Sequence, residues 1–174
     1  MTITLYELCV PSYLQMLGGL SGFLQKGLAH CKESRIDPES LVEASLIADM
    51  KPLRFQVQQA ARHSLGALRA VQGGQFSPGS EGEPHDNYAA LIALAQTTQA
   101  ALQKVTPDEI NARASADVTF VAGELKMPFT ALGFIQSFSL PNFYFHVTTA
   151  YDILRMKGVP LSKRDYLGTP RLKR

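Results

Sequence analysis

The sequence predicts an all-α fold, a bundle of four long helices with a small β-hairpin between the third and the fourth. Apolar residues recur every three or four positions in four long segments, and stretches rich in Gly, Pro and Ser separate them. One short segment alternates with a period of two instead. With 174 residues, 45% apolar and 18% charged, we expect one domain over residues 1–174, with a basic tail at 160–174.

The first helix is predicted to begin near Pro11 and to bear a stripe of small and apolar side chains. Its members are Leu14, Leu17, Ser21, Leu24, Leu28 and Cys31. Four glycines, Gly18, Gly19, Gly22 and Gly27, lower the helix propensity by up to about 1 kcal/mol each. They are explained if another part of the backbone packs closely on this helix. A short helix should follow, with Asp37 as its N-cap and Pro38 in its first turn.

The second helix should start after Asp49, its predicted N-cap, with Pro52 in the first turn. Its core-facing side chains are predicted to be Val57, Ala60, Ser64, Leu65, Leu68 and Val71. A second row, Gln56, Gln59, His63 and Ala70, follows the adjacent edge of the same helix. This helix therefore presents polar side chains beside its apolar face.

The third helix and the hairpin follow a loop rich in Gly, Pro and Ser. The helix is predicted to bury Tyr88, Leu91, Ala95, Thr98, Leu102 and Val105. A capping box formed by Thr106 and Glu109 indicates a further helical turn. Alternation from Val118 to Met127 then predicts a hairpin that turns at Gly123.

The fourth helical region extends from Thr130 to Lys157, with a kink or interruption at Pro141. His146 lies on its core-facing stripe, together with Phe143, Val147, Ala150, Ile153 and Leu154. A buried imidazole needs a hydrogen-bond partner, and burial favours its neutral form. The candidate partners are Gln56, Gln59 and His63. A neutral histidine suits a metal site or a general base, but it suits a structural hydrogen-bond network equally well.

The net charge and the composition of the sequence limit the kinds of partner and the cellular location that we expect. The net charge is +2; residues 160–174 carry five basic side chains and one acid, hence +4, which leaves −2 for residues 1–159. A body so close to neutral predicts no nucleic-acid partner. We expect a soluble cytoplasmic protein, because the sequence lacks a signal-peptide pattern and a bilayer-spanning apolar run. Cys9 and Cys31, the only cysteines, fit small core residues in a reducing compartment.

The segment "LPNFYFHVTTAYDILRMKGVPLSKRDYLG" strongly resembles the C-terminal signature of an uncharacterised bacterial family related to the DinB/YfiT-like superfamily. The segments "IDPESLVEASLIADMKPLRFQVQQA" and "LYELCVPSYLQMLGGLSGFLQK" are similar to its middle and first parts. The resemblance implies an up-down-down-up four-helix bundle, often dimeric. It also implies docking of Asp165, Tyr166 and Leu167 onto the body of the protein.

In that superfamily, three histidines hold a metal, one on the second helix and two spaced by four residues on the last. His63 and His146 match two of these positions, but Ala150 stands at the third. Some members are thiol S-transferases or hydrolase-like enzymes. With one ligand missing, we expect no cofactor; if zinc or nickel binds, His63 and His146 are the residues that would hold it.

We therefore expect a small-molecule pocket between the second and last helices, lined by Gln56, Gln59, His63, His146 and Tyr151. One alternative is a metal- or thiol-dependent transferase or hydrolase that recruits an unconventional third ligand, such as a glutamine, a tyrosine or a residue from the loop of His85. Another is a dimeric structural protein whose interface uses the glycine-rich helix face. A homodimer is expected.

Overall fold

The computed structural model describes residues 3–79 and 87–173. Its long helices are α1 (Leu5–Ser34), a continuous helix made of α3 (Leu53–Ala61), a first π-helical segment (Arg62–Gly66) and α4 (Ala67–Gly73), then α5 (Tyr88–Leu102). The last one consists of α7 (Ala131–Phe134), a second π-helical segment (Ile135–Ser139) and α8 (Leu140–Met156). Short helices are α2 (Glu39–Val42), α6 (Pro107–Asn111) and α9 (Lys163–Leu167). The predicted mostly helical fold is confirmed.

Helix α1 begins at Leu5, so the predicted start near Pro11 is wrong. Thr4 and Glu7 form a capping box that stabilises the earlier start, and Pro11 lies inside the helix. Two residues of the predicted core stripe also differ, since Leu14 is half-buried and Leu28 is 37% exposed. Helix α2 starts one residue later than predicted: Pro38 is its N-cap, while Oδ1 of Asp37 accepts a hydrogen bond from the Glu39 backbone.

The second long helix begins at Leu53 with Pro52 as its N-cap, not at Asp49. Within it, the π-helical segment adds residues to one turn and shifts the apolar stripe. Leu65, predicted to face the core, is consequently half-buried, and Ala67 is fully buried. The hydroxyl of Ser64 donates to backbone carbonyls of the preceding turn.

The hairpin is confirmed and belongs to a three-stranded sheet. Strands β2 (Asp117–Ala122) and β3 (Leu125–Thr130) are antiparallel and turn at Gly123, which has a positive φ of 57°. Sequence periodicity did not predict β1 (Gln75–Phe76), which pairs in parallel with β2 and sets Phe76 opposite Phe120. The capping box of Thr106 and Glu109 is confirmed before α6.

The last long helix continues through Pro141. The predicted interruption takes the form of the second π-helical segment, which ends at Ser139, directly before α8. Phe143, His146, Val147, Ala150, Ile153 and Leu154 are all buried, as the helical wheel predicted. Among the described residues, no helix is both long and apolar enough to cross a membrane.

The segment after α8 docks on the bundle. Asp165 forms an ion pair with Lys26 of α1, and the hydroxyl of Tyr166 lies 2.9 Å from Oγ1 of Thr148. The Lys26 ammonium and the Ser162 backbone lower the pKa of Asp165 to about 2. The predicted docking of residues 165–167 is confirmed.

The glycines of α1 explain how this docking is possible. A Cβ atom added at Gly19 would lie 2.5 Å from the carbonyl oxygen of Tyr166, and one at Gly27 would collide with the Tyr88 hydroxyl. The prediction of a close backbone neighbour is confirmed. At Gly19 and Gly27 the surface of α1 is thus covered by Tyr166 and Tyr88 of the same chain.

Candidate functional site

His63 and His146 lie side by side between the second and last long helices. His63 comes from the first π-helical segment and His146 from α8. Their rings are stacked, with centroids 5.8 Å apart and an interplanar angle of 19°. Both side chains are nearly buried, with 5% of His63 and 8% of His146 exposed. The structure thus brings together the two histidines that the sequence singled out.

Gln56 determines which nitrogen of His146 carries the proton. The Nε2 amide of Gln56 donates to the backbone carbonyl of Lys51 at 2.8 Å, so its Oε1 faces His146. That oxygen lies 2.7 Å from Nδ1 of His146. Because a carboxamide oxygen only accepts hydrogen bonds, Nδ1 of His146 bears the hydrogen and Nε2 keeps an in-plane lone pair. No described residue donates a hydrogen bond to that lone pair.

The His63 side chain is positioned by packing against aromatic rings more than by hydrogen bonds. Its ring centroid lies 5.1 Å from that of Phe76 and 5.6 Å from that of Phe138. Its Nδ1 atom is buried and has no hydrogen-bond partner within residues 3–79 and 87–173. An orphaned buried polar atom costs about 1–3 kcal/mol, so this nitrogen is available to a guest molecule or a water.

Both imidazoles are neutral at physiological pH. Burial, with smaller effects of His146 and Arg62, lowers the pKa of His63 to about 3, and burial lowers the pKa of His146 to about 4. The two imidazoles therefore offer uncharged hydrogen-bond donors and acceptors.

A buried hydroxyl network below the pair was not predicted. Ser139 Oγ donates to the backbone carbonyl of His63 at 2.6 Å, so its oxygen accepts from the Tyr13 hydroxyl at 2.7 Å. Ser139 ends one π-helical segment and His63 lies in the other. The network ties α1 to both long helices that carry the histidines. No periodicity in the sequence signals it, because it depends on the two π-helical turns facing each other.

Aromatic rings surround the pair on several sides. Phe55 and Phe145 contact His146 with ring centroids 5.9 and 5.3 Å away. The Phe145 side chain is 55% exposed, which places the site just beneath the protein surface. On the other side, Phe76 and Phe138 connect His63 to the aromatic residues of the sheet and α7.

The remaining predicted site residues lie in different surroundings. Gln59 is half-buried, one helical turn after Gln56. Tyr151 packs on Phe23 and Tyr166, with centroids 5.9 and 5.7 Å away. Five positions along α8 turn Tyr151 to a different side of the helix from His146, and its place in the histidine pocket stays a prediction. His85 lies outside the described residues.

The donor set does not fit a three-histidine metal site. Ala150, four residues after His146, is completely buried and offers no ligand atom. Over residues 3–79 and 87–173, no three His, Cys, Asp or Glu side chains are placed to hold a metal ion together. Two imidazoles leave a tetrahedral metal two protein ligands short of a closed site.

Two open cavities lie between the second long helix and α5. One cavity of about 400 Å³ is lined by Gln58, Leu65 and Thr98, among others, and a neighbouring one of about 520 Å³ reaches Lys104. Neither His63 nor His146 lines these cavities. A ligand at the histidine pair would therefore have to enter past the partly exposed phenylalanine rings.

Comparison with known proteins identifies the family. Residues 5–167 match the family described as a domain of unknown function, DUF1993. The crystal structure of a DinB family member from Shewanella denitrificans is similar, with a TM-score of 0.81 and 27% sequence identity over 98% of this chain and 95% of that one. The sequence matched no curated protein. The chain therefore belongs to the DUF1993 family, a DinB-like family of unknown function.

Proposed function

We propose that this protein binds a small molecule at the His63–His146 pair, in the space between the second and last long helices, without a three-histidine metal site. The Lys51–Gln56–His146 hydrogen-bond chain carries this proposal. It keeps an unprotonated nitrogen of a nearly buried imidazole in one orientation. Such a nitrogen, beside a second buried imidazole with an unpartnered atom, supports a binding role more than a purely structural one.

The two π-helical segments give further support. Both lie next to the pair, one carrying His63 itself and the other ending at Ser139, which holds the His63 carbonyl. π-Helical turns distort a helix and are found frequently at functional sites. Because two such distortions meet at the histidine pair, they favour a functional reason for the positions of these side chains.

We infer further that the long helices run up-down-down-up. The Tyr6 backbone donates to Asn111 at 3.0 Å, which brings the start of α1 next to the segment that follows α5. At the opposite end, the Tyr88 backbone at the start of α5 donates to Glu39, just after α1. Ser139 joins the first half of the last helix to the second long helix. Because Gln56 meets His146 while His63 meets Ser139, these contacts support antiparallel second and last helices, and those of Tyr6 and Tyr88 support antiparallel α1 and α5.

Binding is tested by NMR of the histidine side chains, using ¹⁵N-labelled protein and a mixture of neutral fragments, aromatic and aliphatic. We expect saturable shifts of the His146 and His63 ring nitrogens, and their loss in His146→Phe. The exposed Ser137→Ala variant serves as the control and should behave as the native protein. Fragments that bind only beside Leu65 and Lys104, in the cavities facing α5, would contradict the proposal.

The same samples separate the metal-dependent alternative. Zn²⁺ and Ni²⁺ are titrated individually into metal-free protein. We expect weak, non-stoichiometric binding, because His63 and His146 form an incomplete set of ligands. Stoichiometric metal that is lost in His146→Ala would instead favour a metal-dependent transferase or hydrolase.

A further inference from the structure

The hydrogen-bonding direction at His146 restricts what the pair can bind. Nδ1 already donates to Gln56, so only the Nε2 lone pair is left for a ligand. A bound molecule must therefore offer a hydrogen to this nitrogen. A carboxylate or an ether, which only accepts, would face the lone pair with no bond and would lose its own hydration.

The second nitrogen adds a requirement. Nδ1 of His63 lacks a partner among the described residues, and the two ring centroids are 5.8 Å apart. A hydroxyl group combines one donor with two acceptor lone pairs, so it can donate to His146 and still accept a hydrogen bond from another group or a water.

The surroundings define the rest of the ligand. Phe55 and Phe145 contact the His146 ring, while Phe76 and Phe138 contact the His63 ring. Flat aromatic groups pack on such rings edge-to-face or offset, with a gain of about 0.5–1.5 kcal/mol beyond area burial. An exposed Phe145 ring gives a planar molecule a route from the solvent.

Nearby cations do not turn the pair into an anion site. Lys51 Nζ lies 5.8 Å from the centroid of the Phe55 ring, and Arg62 Nη1 donates to the Ser77 carbonyl at 3.4 Å. Both charges are thus directed to other groups of the protein. Within the pair itself, neutral rings offer no charge to balance an anion.

We propose that the His63–His146 pair is a site for neutral aromatic hydroxyl compounds of the phenol class, with the ligand O–H donating to Nε2 of His146 and its ring packing among the phenylalanines. This inference rests on the proposed function and specifies its ligand. Phenol is the simplest probe that contains both features. Anisole keeps the ring and the oxygen but lacks the donor, and benzoate replaces the hydroxyl with an anion.

The test is a titration of the native protein with phenol, anisole and benzoate, each followed through the histidine ring ¹⁵N resonances. We expect phenol to shift Nε2 of His146 saturably, and anisole and benzoate to bind about tenfold more weakly, the effect of one hydrogen bond. In Gln56→Leu, where His146 can change tautomer, phenol should lose most of this advantage. Ser137→Ala should retain it.

The outcomes distinguish the proposed ligand class from the more general proposal that the pair binds a small molecule. Equal affinity for phenol and anisole would overturn the hydroxyl assignment and leave small-molecule binding intact. Aliphatic fragments that shift the histidines while phenol does not would do the same. If neither phenol nor any neutral fragment shifts either histidine, both the ligand class and the binding function are refuted.

Discussion

Nδ1 of His146 lies 2.7 Å from Oε1 of Gln56, although the two residues are separated by 90 positions in the chain. The Lys51 carbonyl holds the Gln56 amide from the other side. This arrangement resembles the outer contacts of metal-bound histidines, in which a carbonyl or carboxylate oxygen orients the ring. In this protein the Gln56 oxygen orients the His146 ring, which has one neighbouring imidazole, that of His63. In a three-histidine metal site it would have two.

The Gln56→Leu substitution should release the His146 ring. It leaves the buried Nδ1–H without an acceptor, so we expect a loss of about 1–3 kcal/mol in the free energy of unfolding. Ring ¹⁵N shifts should change from a single tautomer to a mixture. Gln59→Leu, one turn further on the same helix and half-buried, is the control and should stay within about 0.5 kcal/mol. An unchanged tautomer in Gln56→Leu would contradict the orienting role.

Acid should destabilise the protein through its two buried histidines. Their folded-state pKa values of about 3 and about 4 lie below the ordinary value of 6.5, so the unfolded chain takes up protons first as the pH falls. The stability that the two neutral histidines contribute is complete above about pH 6.5. It is lost down to about pH 4 for His146 and about pH 3 for His63, by up to about 1.4 kcal/mol per pH unit for each histidine. Urea denaturation at pH 7, 6, 5 and 4.5 measures the slope.

The control for that experiment is His146→Gln, which removes one of the two titrating groups. Its slope between pH 6 and 5 should be about half that of the native protein. A slope equal to the native one would mean that His146 is not responsible for the acid sensitivity.

Ser139→Ala should be strongly destabilising for its size. It removes the donor to the His63 carbonyl and the acceptor of the Tyr13 hydroxyl, both buried, at a cost of about 2–4 kcal/mol. Ser137→Ala, two residues earlier and exposed, should cost less than about 0.5 kcal/mol. Chemical denaturation measures both. Adding Tyr13→Phe to Ser139→Ala should cost less than Tyr13→Phe alone, and strict additivity would argue against a shared network.

Two glycine substitutions on α1 should have opposite signs. A methyl group at Gly19 meets the Tyr166 carbonyl at 2.5 Å, so Gly19→Ala should displace residues 162–168 and lower the stability. Gly22→Ala meets no atom within 4 Å and should stabilise the helix by about 0.5–1 kcal/mol. Thermal denaturation gives the signs, and faster trypsin cleavage at Lys163 and Arg164 reports the displacement. A Gly19→Ala variant that is as stable as the native protein and is cleaved no faster would refute the close docking.

Ala150→His tests why the metal site is incomplete. The larger side chain at a completely buried position should cost about 1–3 kcal/mol without metal. It should also raise the Zn²⁺ affinity at least about tenfold by supplying a third imidazole. Calorimetry with Thr148→His, an exposed neighbour, as the control measures the gain. Equal Zn²⁺ affinity in Ala150→His and the native protein would mean that this position cannot complete the site.

The helical wheel was sufficient to bring His146 to the core and to place Gln56 among its three candidate partners, with Gln59 and His63. Both predictions depend on the spacing of residues within one helix and on the packing of two amphipathic helix faces against each other. The π-helical segments could not be predicted this way, because they depend on long-range contacts such as Ser139 with the His63 carbonyl. Strand β1 is only two residues long and has no periodicity of its own. The early start of α1 was readable from Thr4 and Glu7, but the proline at position 11 suggested a later one.

The docking of α9 on α1 affects the order in which the protein can mature during synthesis. Gln15 and Lys26 are made early, whereas their partners, the Leu167 carbonyl and Asp165, follow 152 and 139 residues later. Until residues 163–168 have left the ribosome, the surface of α1 around Gly19 stays open to water and to other nascent chains. Contacts this distant in sequence form slowly. Residues of α9 therefore complete the burial of a helix that was made long before them.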